Sequence, residues 1–149
     1  MMAAREELLA KEESSWKAFW SDVSKVPADR VEEPGIVEGW STKDMVWHCG
    51  YWARFCAEAL ESLTGPDFTD PFEGHDDAYW DEYNGRVAKE SAAMSWDEVA
   101  AALPGIRERV RAALTAAPEG DKPDAWFGEE TFEHYDEHAE HVRAFLVSG

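Results

Sequence analysis

Apolar residues recur at helical spacing along almost the whole of this chain, and the alternation typical of half-buried strands is nearly absent. Four long stretches follow the helical pattern, and a shorter one separates the second from the third. Amphipathic helices of this length bury their apolar faces against one another. The sequence therefore predicts an all-α fold, a four-helix bundle with a short extra helical segment, in one domain over residues 1–149. The long helices are expected at about 3–23, 41–63, 95–116 and 129–146, and the short one at 75–92.

Helix boundaries are marked by capping residues and by helix breakers. Ser41 with Asp44, and Ser95 with Glu98, form patterns in which each side chain can bond the other residue's backbone N–H. They predict the starts of the second and third long helices. Pro104 is expected to kink the third long helix or split off its first turn, because proline removes a helical hydrogen bond. The stretches expected to be connections are 28–40, 64–74 and 118–125.

Charge and composition exclude several classes of function. The formal net charge of −18 would repel nucleic acid and anionic membrane surfaces. No run of about 18 apolar residues is present, and the charged start is unlike a signal peptide. Cys49 and Cys56 would lie about 10 Å apart along one helix, too far for a disulfide between them. We therefore expect a reduced, cytoplasmic protein without nucleic-acid or membrane partners.

Three of the five histidines fall within residues 134–141 of the last predicted helix. His134, His138 and His141 share one helical stripe with Phe145, so they are expected to face the core. Two histidines four residues apart can bind one ion from adjacent turns, as in helical zinc sites. An isolated pair at this spacing is more often simply buried and hydrogen-bonded. This helix alone leaves both alternatives open.

A further histidine, His48, lies on an otherwise apolar face of the second helix. An unpaired buried imidazole costs about 1–3 kcal/mol, and the histidines of the last helix are its simplest partners. Three histidines from two helices leave coordination positions open, as in reactive metal sites. His48, His134 and His138 are therefore the predicted metal ligands. His141, one turn further along, is expected to be a pocket residue rather than a ligand, and His75 a loop residue.

Three stretches of the chain resemble the DinB-like superfamily. Residues 35–55 carry a Trp-Ser-x-x-Asp-x-x-x-His motif, residues 79–103 an Asn followed by a capped helix, and residues 130–146 a Thr-x-x-His-x-x-x-His motif. The nearest branch resembles the N-terminal domain of mycothiol-dependent maleylpyruvate isomerase and its small stand-alone relatives. The resemblance extends over almost the whole chain.

The resemblance implies an up-down-down-up order of helices, a homodimer, and a divalent metal on His48, His134 and His138. Zinc is the expected metal, with nickel, iron and manganese as alternatives. Two departures concern the isomerase itself. It is expected to use glutamate where this chain has His134, and the 149 residues leave no room for its additional C-terminal domain. The isomerase's own activity is therefore not implied.

The predicted chemistry follows from an open three-histidine ion, which lowers the pKa of a thiol or water that it binds. We therefore expect a metal-dependent thiol S-transferase or isomerase that uses a thiol such as mycothiol or bacillithiol and acts on small electrophilic metabolites. One alternative is a metal-dependent hydrolase that detoxifies a reactive natural product. Another is a metal-binding stress protein without catalytic activity.

Two further groups of residues are candidates for the site. The pocket candidates are Trp47, Trp52, Trp80, Tyr83 and Asn84. The candidates for orienting an imidazole are Asp44, Glu137 and His141. Aromatic residues at helical spacing are more often core, and acidic residues near helix surfaces are more often solvated, so both alternatives stay open.

Overall fold

The computed structural model describes residues 4–63 and 70–148. The described part is almost entirely helical, which confirms the predicted all-α fold. A short 3-10 helix and a two-stranded antiparallel hairpin precede the second helix. The elements are α1 (Ala4–Val23), the 3-10 helix (Ala28–Arg30), β1 (Pro34–Val37), β2 (Trp40–Ser41), α2 (Thr42–Ser62), α3 (Asp77–Ala92), α4 (Trp96–Ala116), α5 (Asp121–Glu130) and α6 (Phe132–Ser148).

Both predicted capping boxes are present. The Asp44 backbone N–H donates to Ser41 Oγ at 3.1 Å, and the Ser41 N–H donates to Asp44 Oδ2 at 3.0 Å. Ser95 and Glu98 make the same reciprocal pair, with both distances 3.1 Å. Each box satisfies two backbone donors that a helix start leaves unpaired. The starts of α2 and α4 are thus confirmed.

The most extensive helix packing joins α2 to α4 and α1 to α6. A Cβ placed on Gly50 would lie 3.2 Å from Leu103 Cδ1, so α2 and α4 approach closely at this level. This packing accompanies an unbroken α4, which continues through Pro104. Of the two expected effects of Pro104, splitting of α4 is wrong, because the buried contacts of this helix outweigh the one hydrogen bond that proline removes, while the kink stays a prediction.

A buried carboxylate ties α1 to α4 and α6. Glu12 is fully buried, and Arg107 donates to its two oxygens through Nε and Nη2, both at 2.8 Å. Arg111 Nη1 donates to Glu12 at 2.7 Å, and the Tyr135 hydroxyl donates at 3.2 Å. Four donors on one carboxylate compensate the loss of its hydration, and they fix the positions of three helices relative to one another.

The connection expected over residues 118–125 is wrong from Asp121 onward, where α5 begins. Pro123 lies in the first turn of α5, where a missing N–H costs nothing because that N–H has no helical partner. Trp126 and Phe127 are buried, so α5 is part of the core. Asp121 to Pro123, which resemble a loop in the sequence, therefore form the first turn of α5.

The last helix was expected to start near residue 129, but the backbone breaks at Thr131 and α6 begins one residue later. Both the N–H and the Oγ1 of Thr131 donate to the Phe127 carbonyl, at 3.0 Å and 2.6 Å. A Cβ on Gly128 would lie 2.8 Å from Phe132 Cζ, so glycine is what this junction accommodates. The break turns α6 relative to α5 while keeping the two helices in contact.

The stretch over residues 28–40 is more ordered than the plain connection expected, since it holds the 3-10 helix and the β1–β2 hairpin. Glu38, in the turn between the strands, has a φ of 50°. The break expected over residues 64–74 falls partly outside the described residues, which resume at residue 70; on either side of it α2 ends at Ser62 and α3 begins at Asp77. Within the described segments, no helix has both the length and the apolar character needed to cross a bilayer.

Candidate functional site

The structure brings His48 of α2 together with His134 and His138 of α6. The ring centroid of His48 lies 5.2 Å from that of His134 and 5.4 Å from that of His138. The His134 and His138 centroids are 6.0 Å apart. The Ser41 capping box sets where α2 begins, and the Thr131 break sets where α6 begins. The capping box and the helix break together place the three imidazoles at the same level along the bundle.

These ring positions fit a shared cation. Three imidazoles bound to one tetrahedral ion at about 2.0–2.1 Å have ring centroids roughly 5 Å apart. Across residues 4–63 and 70–148, however, no three His, Cys, Asp or Glu side chains form a group that could hold a metal as they stand. Metal binding at this place would therefore require these side chains to move.

Unpaired polar atoms are concentrated at the same place. His48 Nδ1, His134 Nδ1 and Glu130 Oε2 are buried side-chain atoms without a hydrogen-bond partner. Each such atom costs about 1–3 kcal/mol unless something satisfies it. Imidazole nitrogens and a carboxylate oxygen are the groups from which metal sites are built, either as ligands of a divalent cation or as hydrogen-bond partners that orient a ligand. The chemistry of the residues present therefore fits a metal.

Burial keeps the three imidazoles neutral. Burial, together with His134 and His138, lowers the pKa of His48 to about 2. Burial lowers the pKa of His134 to about 4. Burial, together with His134 and His141, lowers the pKa of His138 to about 3. Neutral imidazole is the form that binds a cation, so none of the three needs to lose a proton first at neutral pH.

The sequence interpretation missed Glu130, at the end of α5. Its Oε2 lies 4.0 Å from His134 Nδ1. Burial raises the pKa of the Glu130 carboxyl to about 8, and the nearby Glu129 and Glu133 add to this. The spacing of four residues to His134 was visible in the sequence. It did not mark Glu130 as a site residue, because with the last helix expected from about residue 129, Glu130 was simply a residue of its first turn.

His141 and Glu137 both line the cavity beside the three histidines. The Nδ1 atoms of His138 and His141 are 3.1 Å apart, within hydrogen-bonding distance when one nitrogen carries the proton. His141 thus holds the His138 ring through Nδ1 and leaves Nε2 of His138 to bind something else. This is the neighbouring position expected for His141 from the sequence.

Asp44 does not orient an imidazole, so that expectation is corrected. One carboxylate oxygen accepts the Ser41 backbone N–H, and the other accepts the hydroxyl of the buried Ser91 on α3. A residue at the third position of a helix reaches back toward the helix start, which directs this carboxylate away from His48. Asp44 therefore fixes α2 and α3 and lies outside the site.

A cavity of about 610 Å³ opens onto the histidines. Three of the five pocket candidates, Trp52, Trp80 and Asn84, line it. Trp47 does not: it is buried on another face of α2, with the Arg54 guanidinium 5.4 Å from its ring centroid.

Tyr83 does not line the main cavity either. It packs behind Trp52, with ring centroids 5.3 Å apart, and its hydroxyl lies 2.8 Å from that of Tyr51. Trp47 and Tyr83 lie in the helices expected from the sequence, but neither faces this cavity.

Two aromatic residues of the cavity were missed because they lie outside the helices. Trp40, in β2, packs against His48 with ring centroids 4.9 Å apart. Phe72 lies in the stretch before α3, 5.2 Å from the Trp126 ring. Helical periodicity cannot place residues of a hairpin or a connection, so only the tertiary structure shows that they belong to the site.

Comparison with known proteins gives a family and a fold. A family model described as the DinB superfamily matches residues 8–144. No curated protein matches the chain. Among solved structures, the crystal structure of an uncharacterised protein from Escherichia coli UTI89 has a TM-score of 0.80 at 14% sequence identity, and the match covers 97% of this chain and 93% of that chain. At this identity the likeness shows the fold alone.

Proposed function

This chain belongs to the DinB superfamily, and from that premise we propose that it is a divalent-metal-binding enzyme that transfers a low-molecular-weight thiol to a small electrophile or isomerises the electrophile through it. His48, His134 and His138 would hold the metal, with zinc as the expected ion. The proposed co-substrate is a thiol such as mycothiol or bacillithiol. The homodimer implied by the resemblance stays a prediction.

The observation that carries the proposal is the convergence of three neutral imidazoles, two of them buried and that of His134 half-buried, at one end of an open cavity. When bound, a divalent cation supplies positive charge that lowers the pKa of a neighbouring thiol or water. The chain's own contribution is to hold the imidazoles neutral and to keep bulk water away from their buried faces. His141 would orient His138, and Glu130 would orient His134.

The chain does not supply the reacting sulfur itself. Cys49 and Cys56 are both buried, and burial raises the pKa of each thiol well above its usual value. A thiol that stays protonated is a poor nucleophile. The sulfur must therefore come from a co-substrate that enters the cavity.

A hydrolase is the second candidate. It is favoured by Glu137 and His141, which line the cavity beside the metal-binding imidazoles. Either side chain can accept a proton from water, the requirement of general-base hydrolysis. In this case the electrophile would be consumed without any thiol.

The test begins with metal content. Untagged protein should contain about one divalent ion per chain, and His48→Ala, His134→Ala and His138→Ala should each lose most of it. The matched control is His75→Ala, an exposed histidine stacked on Tyr79 at 3.8 Å between ring centroids. Stoichiometric metal in all three variants would contradict the ligand assignment.

The second step separates the two chemistries. Cobalt-substituted protein is titrated with mycothiol, bacillithiol and glutathione, and a sulfur-to-metal charge-transfer band is expected for at least one of them. Consumption of an electrophile panel is then followed with and without the thiol. Hydrolysis without thiol, together with an unchanged cobalt spectrum, would replace the transferase by the hydrolase. Metal binding without any turnover would leave a non-catalytic protein.

A further inference from the structure

The cavity next to the histidines has a continuous aromatic wall. The tryptophan ring centroids next to His48 are those of Trp40 at 4.9 Å and Trp52 at 6.4 Å. Trp80 follows at 5.4 Å from Trp52, and Phe72 lies 6.4 Å from Trp80. The wall therefore extends from the imidazoles outward along one side of the cavity.

Neighbouring side chains restrict the movement of the rings in this wall. The Trp52 indole N–H donates to Asn84 Oδ1 at 2.9 Å, which fixes the orientation of its ring. Phe55 packs against Trp52 at 5.1 Å and against Phe72 at 5.3 Å. A surface of fixed rings loses little conformational entropy when a flat ligand stacks on it.

The charge of the cavity disfavours anions. Its ionisable lining consists of four histidines with Glu130 and Glu137, and no lysine or arginine is among the lining residues in the described parts of the chain. The protein as a whole carries a net charge of −18. Away from the metal-binding end, a carboxylate or phosphate on a ligand would find no cationic partner, and an unpaired buried charge is costly.

We propose that the substrate of this site carries a flat aromatic group without negative charge, which stacks on the near-parallel rings of Trp80 and Phe72 and meets Trp52 edge-on, while the reacting group faces the histidines. This inference rests on the proposed function, since it names the class of electrophile that the same site takes. A cavity of about 610 Å³ accommodates a group of about two fused rings with the reacting substituent.

Three probes of similar size separate shape, aromaticity and charge. They are 2-naphthylmethanol, its saturated analogue decahydro-2-naphthylmethanol, and the anion 2-naphthoate. Binding to the full chain is measured by calorimetry, as purified and after chelation of metal. We expect the aromatic alcohol to bind about fivefold or more tightly than the saturated one, because stacking adds to burial. We expect 2-naphthoate to bind the chelated protein about tenfold or more weakly than the alcohol.

Two substitutions locate the binding. Trp80→Leu should weaken the aromatic alcohol about fivefold or more. Its control, Trp96→Leu, removes a tryptophan that stacks on Trp20, and should leave binding unchanged. If Trp80→Leu does not fold by circular dichroism, Phe72→Leu takes its place. Equal binding of the saturated alcohol, equal or tighter binding of 2-naphthoate to the chelated protein, or unchanged binding in the wall variant would each overturn the proposal.

These outcomes are independent of the proposed chemistry. The binding measurements contain no thiol, and those after chelation contain no metal. Binding of 2-naphthylmethanol without thiol consumption in the activity assay would therefore refute the transferase and still support the aromatic ligand class. Thiol consumption without binding of 2-naphthylmethanol would refute the aromatic ligand class and leave the transferase unaffected.

Discussion

Glu130 Oε2 and His134 Nδ1 lie 4.0 Å apart across the break between α5 and α6, and both atoms are buried without a hydrogen-bond partner. A small movement would join them into the carboxylate–imidazole pair that commonly supports a histidine bound to a metal. In that arrangement His134 Nδ1–H donates to the carboxylate, and Nε2 is presented to the cation. Formation of the hydrogen bond between His134 and Glu130 is therefore expected to accompany metal binding.

The first prediction concerns this pair. Glu130→Gln should weaken zinc binding about tenfold to a hundredfold, because the imidazole loses the acceptor that fixes its orientation. Zinc affinity is measured by competition with a chromogenic chelator, with circular dichroism as a check on folding. The control is Glu129→Gln, the same substitution at an exposed neighbouring position. Equal affinities in the two variants would show that Glu130 does not support His134.

The second prediction concerns His141. Because it contacts His138 through the two Nδ1 atoms, His141→Ala should retain stoichiometric metal with an affinity lowered about tenfold. His138→Ala should lose the metal. Comparison of metal content after gel filtration distinguishes the two. Equal losses would make His141 a ligand.

The third prediction is a pH dependence of the metal-free protein. His48 has a pKa of 6.5 when unfolded and about 2 when folded. The unfolded chain therefore binds more protons below pH 6.5, so stability falls as the pH decreases from there. Between pH 7 and pH 5 the contribution of His48 should be on the order of 1–2 kcal/mol. Urea unfolding of chelated protein should show a smaller acid loss in His48→Gln than in the wild type or in His75→Gln.

Glu130 should act in the opposite direction. Its pKa is 4.5 in the unfolded chain and about 8 in the folded one, so stability falls as the pH increases from 4.5 toward 8. Chelated Glu130→Gln should therefore gain stability relative to the wild type at pH 8 and little at pH 4.5. A constant difference across this range, measured by urea unfolding, would contradict the assignment.

The fifth prediction concerns Glu12. Glu12→Ala leaves Arg107 and Arg111 without their buried partner and should cost about 3–5 kcal/mol of unfolding free energy. Glu13→Ala is the matched control: Glu13 also contacts Arg107, at 2.9 Å, but its side chain is 42% exposed, so a loss of about 0–1 kcal/mol is expected. Similar losses in both variants would mean that the buried network contributes no more than a surface ion pair.

Local sequence signals predicted the starts of α2 and α4, because each capping box is complete within four residues. The helical repeat of 3.6 residues per turn also predicted that the histidines face inward, because the face on which a residue lies depends only on its spacing from its neighbours in the same helix. The signals failed at α5, where Pro123 resembles a loop residue but lies in a first turn. They could not find Trp40 or Phe72, whose places depend on how separate segments pack.

The predicted metal ligands and the outer half of the aromatic wall belong to different parts of the chain. The histidines belong to α2 and α6, whereas Trp80 is on α3 and Phe72 precedes it. Substitutions at positions that share neither a contact nor a partner usually have additive effects on free energy, but Trp80 and His48 both contact Trp52. Phe72, whose ring contacts among the described residues are with Phe55, Trp80 and Trp126, could therefore change during evolution with the least effect on the predicted metal ligands, shifting the range of accepted molecules. Trp40, packed on His48, is the wall position where such divergence would be most constrained.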